Sequence, residues 1–188
     1  LEQSQRIELN ARGRNRWTAF LLACGHGHKD VVQLLLDHSE RIDLNATDDH
    51  GSTAIMLACH NGHKDVVKLL LDQSGLNLNI ELNLNNELVN TQGWTALATA
   101  CIDGQKDVVQ LLLDHSERID PNARNNHGIT ALMYACFYGR KDIVQVFLDN
   151  SKRIDLNARD NYGRTALMIA SQKGHQDIVQ LIKGKLIQ

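Results

Sequence analysis

The sequence predicts an all-α fold, a solenoid of stacked helix-turn-helix units with β-turn or hairpin fingers, and two observations lead to this prediction. A Thr-Ala phrase recurs in steps of 35, 42, 35 and 35 residues, starting at Thr18, Thr53, Thr95, Thr130 and Thr165. An apolar stretch of the type Val-Val-Gln-Leu-Leu-Leu follows each phrase. Self-similarity at a period of about 20–50 residues is typical of repeat proteins whose units stack on one another.

A turn precedes most of the Thr-Ala phrases. Three segments have Asp or Asn at the first position and Gly at the fourth, namely Asp48–Gly51, Asn125–Gly128 and Asp160–Gly163. This composition is the signature of a type I turn. Each unit is therefore expected to begin with a projecting turn, which we call the finger.

The Thr-Ala phrase is expected to form a short first helix. Thr165 is a good N-cap because its hydroxyl can accept a backbone N–H bond, and Gly174 is placed to end the helix. The alanines of the phrase are small enough to let another helix come close. The phrase is thus predicted to have a structural role.

A second helix is predicted in each unit. Its first turn carries an acidic residue that suits the helix dipole, at Asp30, Asp65, Asp107, Asp142 and Asp177. The apolar residues that follow, such as Val31, Val32 and Leu34, cover too wide a face for a lone surface helix. Neighbouring units must therefore cover both sides of each helix pair.

The bulk composition excludes several functional classes. The chain has 188 residues, 43% of them hydrophobic, and a net charge of −2 from 20 basic and 22 acidic residues. These charges are interspersed, without the basic stripe that a phosphate backbone requires, so no nucleic-acid partner is expected. Its apolar runs are short and broken by charges, so no membrane partner is expected either.

The cysteines are spaced by the repeat itself. Cys24, Cys59, Cys101 and Cys136 occupy one position of the repeat. Stacked helices lie about 8–10 Å apart, beyond the reach of a disulfide, so we expect small buried thiols. Reduced cysteines fit an intracellular location, cytoplasmic or nuclear.

The order of turn, Thr-capped helix, Gly-His, Asp-Val-Val and Leu-Leu-Leu resembles the ankyrin repeat, a β-turn followed by two antiparallel helices. The resemblance covers essentially the whole chain. Where the family has Thr-Pro-Leu-His, this chain has variants such as Thr-Ala-Leu-Met. The family's His ties neighbouring repeats by hydrogen bonds, and because apolar residues replace it here, we expect packing to do that work.

The repeat register predicts a single domain over residues 1–188. Residues 1–11 match 36–46 and are expected to be the tail of a preceding repeat, followed by five repeats at 12–46, 47–88, 89–123, 124–158 and 159–188. The longer step contains an irregular insertion at 75–89, in which leucines alternate with polar residues. This segment either folds back as a packed loop or offers an edge to a partner strand.

The resemblance also implies where a partner would bind. In ankyrin-type modules the partner-facing surface consists of the fingertips and the residues before the Gly that ends the first helix. The corresponding candidates are Trp17, His26, Asp49, His50, His60, Trp94, Ile102, Asp103, His127, Phe137, Tyr138, Asn161, Tyr162 and Arg164. Five of these candidates are aromatic residues at positions expected to be exposed, and aromatic residues often supply much of the binding energy at interfaces.

The predicted function is binding of a protein partner of unknown identity, by a monomer with no catalysis, no metal and no cofactor. Most histidines recur at fixed repeat positions and are interpreted as building parts, and no paired ligand motif of a zinc module is present. A structural spacer within a larger protein is one alternative. A designed or consensus-derived array is another, suggested by the near-identical second helices of repeats one and three.

Overall fold

The computed structural model describes residues 8–73, 95–115 and 119–187. Over these residues the chain forms helix pairs, with three short 3₁₀ helices at Arg14–Arg16, Ser39–Arg41 and Ser151–Arg153. The α-helices are α1 Ala19–Gly25, α2 Lys29–Leu36, α3 Ala54–His60, α4 Lys64–Gln73, α5 Ala96–Asp103, α6 Lys106–Asp114, α7 Ala131–Phe137, α8 Lys141–Asp149, α9 Ala166–Gln172 and α10 Gln176–Leu186. The predicted all-α fold of paired helices is confirmed.

The helix pairs stack in chain order. Along one layer α1 packs on α3, α3 on α5, α5 on α7 and α7 on α9, and along the other α2, α4, α6, α8 and α10 follow one another. Each second helix also packs against the first helix of its own pair. The hydrophobic core therefore runs the length of the array between the two layers.

The threonine caps are confirmed at four repeats. Thr18 Oγ1 accepts the N–H of Leu21 at 3.2 Å, and the same bond is made by Thr95, Thr130 and Thr165. Thr53 differs, because its hydroxyl is buried without a hydrogen-bond partner in the described part of the chain. Thr53 instead pairs through its backbone with Thr47 in an isolated β-bridge.

The predicted finger turns are confirmed. In the second finger the Gly51 N–H donates to Asp48 O, and Asp48 Oδ1 accepts the N–H groups of His50 and Ser52 at 2.9 and 2.8 Å. Asn125 and Asp160 hold their fingers with the same set of bonds. One short polar side chain therefore fixes each of these turns.

The first finger is built differently. Gly13 stands where other fingers have Asp or Asn, and Arg16 stands where they have Gly. Asn15 and Arg16 have φ angles of 57° and 60°, in the left-handed region that disfavours a residue with a Cβ. This finger therefore stores backbone strain that the second, fourth and fifth fingers avoid.

Side-chain exposure shows which neighbour covers which face. Val31 of α2 is 47% exposed, whereas Val66 at the same position of α4 is 1% exposed. Ile178 has this position in the last pair and is also buried, so the cover comes from the preceding repeat. Met168, which is exposed where Met133 is buried, marks the opposite face, covered by the following repeat.

The cysteine prediction is also confirmed. All four thiols are free and buried. Burial raises the pKa of Cys24 and Cys136 to about 12 and holds the pKa of the other two well above the ordinary value. They are core-filling groups rather than reactive thiolates.

Hydrogen bonds between repeats supplement the packing, so the expectation that packing would do this work was incomplete. In these bonds, the residue just before a second helix donates to a carbonyl oxygen in the last turn of the first helix of the preceding repeat. His63 Nε2 reaches Gly25 O at 3.0 Å, Gln105 Nε2 reaches His60 O at 3.1 Å, and His175 Nε2 reaches Phe137 O at 3.3 Å. This agrees with the interpretation of the repeated histidines as building parts.

Some sequence predictions fall outside the described residues, namely the insertion at 75–89, the candidate Trp94 and most of the repeat tail predicted at residues 1–11. Within the described ranges, none of the helices combines the length and the apolar character needed to cross a membrane.

Candidate partner-binding surface

Neighbouring fingertips are held together through their backbones. The N–H of Asp49 donates to Asn15 O at 3.1 Å, and the N–H of Asn161 donates to His127 O at 2.9 Å. Asn161 also donates from Nδ2 to the carbonyl oxygen of Asn126. Because the backbones make these bonds, the exposed tip side chains, among them Asp49, His127 and Tyr162, project from a fixed framework.

In the first repeat, Trp17 is partly packed against the hydrophobic core. Its ring lies over Gly25, where a Cβ would come within 3.3 Å of it. The Gly at this position therefore makes room for the indole, and much of Trp17 serves packing. His26 is exposed, donates from Nδ1 to Leu22 O at 2.9 Å, and stacks on His28.

In the second and third repeats two candidate residues bind each other. His60 Nδ1 donates to Asp103 Oδ2 at 2.7 Å, joining the ends of α3 and α5. Ile102, beside Asp103, is half-buried. The charge of Asp103 is thus directed toward a histidine of the neighbouring repeat.

The fourth repeat presents two adjacent aromatic rings at the end of α7. Phe137 is 42% exposed and Tyr138 is 44% exposed. Their ring centroids are 5.1 Å apart with an interplanar angle of 66°, an edge-to-face contact. The N–H of Tyr138 donates to Tyr134 O, so the backbone that carries the pair is fixed by the helix end.

Lys173 of the fifth repeat completes this cluster. Its Nζ lies 3.9 Å from the centroid of the Phe137 ring, in cation–π geometry. His175, two residues further on, donates to the carbonyl oxygen of Phe137. The end of the fifth repeat's first helix is therefore tied to the aromatic pair through both a side chain and the backbone carbonyl.

The fifth finger exposes Tyr162, with the guanidinium of Arg164 5.1 Å from its ring centroid. Arg164 is also bound to the buried carboxylate of Asp160 at 2.7 Å. Burial opposes ionisation of Asp160, but bonds from the Arg164 N–H, the Arg164 side chain and the Tyr162 N–H outweigh it and lower the pKa of this carboxyl group. The positive charge of Arg164 is thus already neutralised within the finger.

The structure therefore brings the candidates together in pairs: His60 with Asp103, Phe137 with Tyr138, and Tyr162 with Arg164. His50 is exposed on its finger. Lys173 was missed as a leading candidate, since a lone lysine carries no signal in the sequence until its register beside Phe137 is known. Among the described residues, no group of three or more His, Cys, Asp or Glu side chains could hold a metal ion.

Comparison with known proteins agrees with this geometry. A search of curated proteins gave no match. The family described as Ankyrin repeats (3 copies) matches residues 2–83, 80–160 and 117–187, which together span almost the whole chain. Turn, first helix and second helix recur here in the order of that repeat. The chain belongs to the ankyrin repeat family.

Proposed function

We propose that this chain binds a protein partner through its fingertips and the ends of its first helices, with Phe137 and Tyr138 as the anchors. Ankyrin repeats are generally protein–protein interaction modules and are typically non-catalytic. The finer proposal concerns which residues of this chain make the contact.

The exposed aromatic pair is the observation that carries the proposal. Phe137 and Tyr138 stand at one helix end, where the other repeats have Gly-His, His-Asn, Ile-Asp and Gln-Lys and none has an aromatic residue. Their edge-to-face contact and the Lys173 ammonium restrict both rings before a partner arrives. A preorganised aromatic surface loses little side-chain entropy on binding, which favours a role as an interface anchor.

The other candidates would extend the contact along the array. Tyr162 supplies a further exposed ring, and His26, Asp49, His50, His127 and Asn161 supply polar groups on a fixed backbone. Trp17 contributes less in this proposal, because its ring is committed to Gly25. His60 and Asp103 would act as a hydrogen-bonded pair.

Selection from a random peptide library displayed on phage tests the proposal. The wild type is the bait, and each enriched peptide is then measured against Phe137→Ala, Tyr138→Ala and the double variant. Each single truncation should cost about 1–3 kcal/mol of binding, a rise in Kd of about 5- to 150-fold. Thermal unfolding should change little, because both rings are exposed.

Leu34→Ala is the matched control. Leu34 is 59% exposed, more than either ring, but lies on α2. If peptides bind merely to exposed apolar surface, the Leu34→Ala substitution should also lower their affinity. Undiminished binding to the Phe137/Tyr138 double variant would contradict the proposed anchors, and a library that yields no specific peptide would favour the spacer.

A further inference from the structure

Lys173 has no acidic partner within salt-bridge distance among the residues that the structure describes. Among the described residues, the ion pairs of Arg and Lys join Arg12 to Asp43, Lys141 to Asp177, and Arg164 to Asp160. No carboxylate of the described chain lies within 4.0 Å of Lys173 Nζ, and its close contact is the face of the Phe137 ring. Within the described ranges, the positive charge beside the aromatic pair is therefore not compensated by a carboxylate.

Two acidic residues of the neighbouring repeats, Asp103 and Asp177, already have other partners. Arg140, which follows the pair by two residues, is itself cationic and donates to Ile102 O. Asp103 is held by His60 at 2.7 Å. Asp177 is 3.4 Å from Lys141. Asp103 and Asp177 therefore each have a partner other than Lys173.

Resting on the proposed function, we propose that Phe137, Tyr138 and Lys173 bind a linear segment of a partner in which an apolar side chain stands beside a carboxylate. The two rings would cover the apolar side chain, and the ammonium would pair with the acid. A basic segment would place like charges together, which is disfavoured. A single ammonium suits one carboxylate, whereas phosphate groups are more commonly held by several donors or a bidentate arginine.

The cation–π contact fixes the position of the Lys173 ammonium group. An ammonium held over a ring face keeps other N–H directions available for a partner, because Lys carries three donors. The ring also fixes the lysine chain, so less rotamer freedom remains to be lost when the carboxylate binds. Lys173 is therefore a positioned charge at the edge of an apolar anchor.

The same displayed peptide library tests the inference. Enriched peptides should carry Asp or Glu within a few residues of an aromatic or aliphatic side chain. The best peptide is then synthesised with its acid intact and with the acid changed to the amide. Binding of both peptides is measured by fluorescence anisotropy to the wild type, Lys173→Met, Lys173→Arg and a control, Lys152→Met, which removes another exposed lysine.

Lys173→Met should lower the affinity for the acidic peptide by about 2- to 5-fold at about 0.15 M salt. Lys173→Arg should retain most of the affinity, and Lys152→Met should leave it unchanged. The acid-to-amide peptide should lose affinity for the wild type but not for Lys173→Met, since the two changes remove one interaction.

The failures are distinguishable. If peptides depend on Phe137 and Tyr138 but are basic or uncharged, or bind Lys173→Met as well as the wild type, the inference is wrong and the proposed function stands. Peptides rich in phosphomimetic acid clusters without apolar side chains would also overturn it. If no peptide depends on the two rings, the proposed function fails and the inference fails with it.

Discussion

The guanidinium of Arg140 donates two hydrogen bonds to the carbonyl oxygen of Ile102, from Nη2 at 2.7 Å and from Nε at 3.2 Å. Ile102 lies in the last turn of α5, where backbone carbonyls have no partner within the helix. Arg140 precedes α8 of the next repeat. One side chain thus completes a helix end and joins two repeats.

Arg140→Ala should lower the free energy of unfolding by about 1–2 kcal/mol, because it removes a charge-assisted bond and leaves a carbonyl unpaired. Urea unfolding followed by circular dichroism would measure this loss. Arg140→Gln is the matched variant, because Gln105 at the same repeat position reaches His60 O at 3.1 Å. The glutamine variant should recover part of the stability, and equal losses in the two variants would contradict the role assigned to this bond.

Val66→Thr should lower the free energy of unfolding by about 1–3 kcal/mol, because it places a hydroxyl in a face that the preceding repeat covers. Val31→Thr makes the identical change at the same position of the first helix pair, where the side chain is exposed. It should stay within about 0.5 kcal/mol of the wild type. Chemical denaturation of both variants tests whether the preceding repeat covers this face. Similar losses of unfolding free energy at the two valines would contradict that assignment.

The fold could be predicted because it depends on local and repeated features. Thr18 and its counterparts cap helices, and Asp48 and Asp160 hold turns, by bonds that span only a few residues. The links between repeats were harder to predict. His63, Gln105 and Arg140 do one task with different side chains, so their shared role becomes visible only when the helix ends are placed side by side.

The candidate surface was predictable in position but not in chemistry. Register alone located Phe137 and Tyr138 at a helix end. It could not show that Lys173 lies over the Phe137 ring, that Trp17 lies against Gly25, or that Asp160 neutralises Arg164. The first of these contacts depends on the distance between stacked repeats, and all three depend on rotamers, which a repeat pattern does not specify.

Arg16→Gly should stabilise the protein by about 0.5–1 kcal/mol. Relief of the left-handed backbone at Arg16 gains about 1–2 kcal/mol, and the greater freedom of glycine in the unfolded chain offsets about 0.4–1 kcal/mol. Gly51, Gly128 and Gly163 adopt φ angles of 74–76° at this position of the second, fourth and fifth fingers. Thermal unfolding would show a higher Tm. Arg14→Gly, at a residue without a positive φ, should instead lower Tm, and a lower Tm for Arg16→Gly would refute the assigned strain.

Asp160→Asn should remove a pH-dependent part of the stability. Asn125 shows that an amide oxygen accepts the same two finger N–H bonds, so the turn itself should survive. The folded pKa of Asp160 is lowered, so its contribution is fully present above the unfolded carboxyl pKa of about 3.9 and is lost as pH falls through the folded value. The free energy of unfolding of the wild type should therefore exceed that of the variant by about 1 kcal/mol between pH 5 and 7.

That advantage should shrink below about pH 4, because protonation removes the same charge that the substitution removes. Urea titrations of both proteins across this range would measure the difference directly. Arg164→Gln serves as the companion variant, since it deletes only the side-chain partner and leaves the backbone N–H bonds to Asp160 Oδ1 in place. The unfolding free energy that Arg164→Gln loses at neutral pH should reflect the ion pair alone. A gap between wild type and Asp160→Asn that stays constant down to pH 3 would show that Asp160 acts through turn geometry and not through its charge.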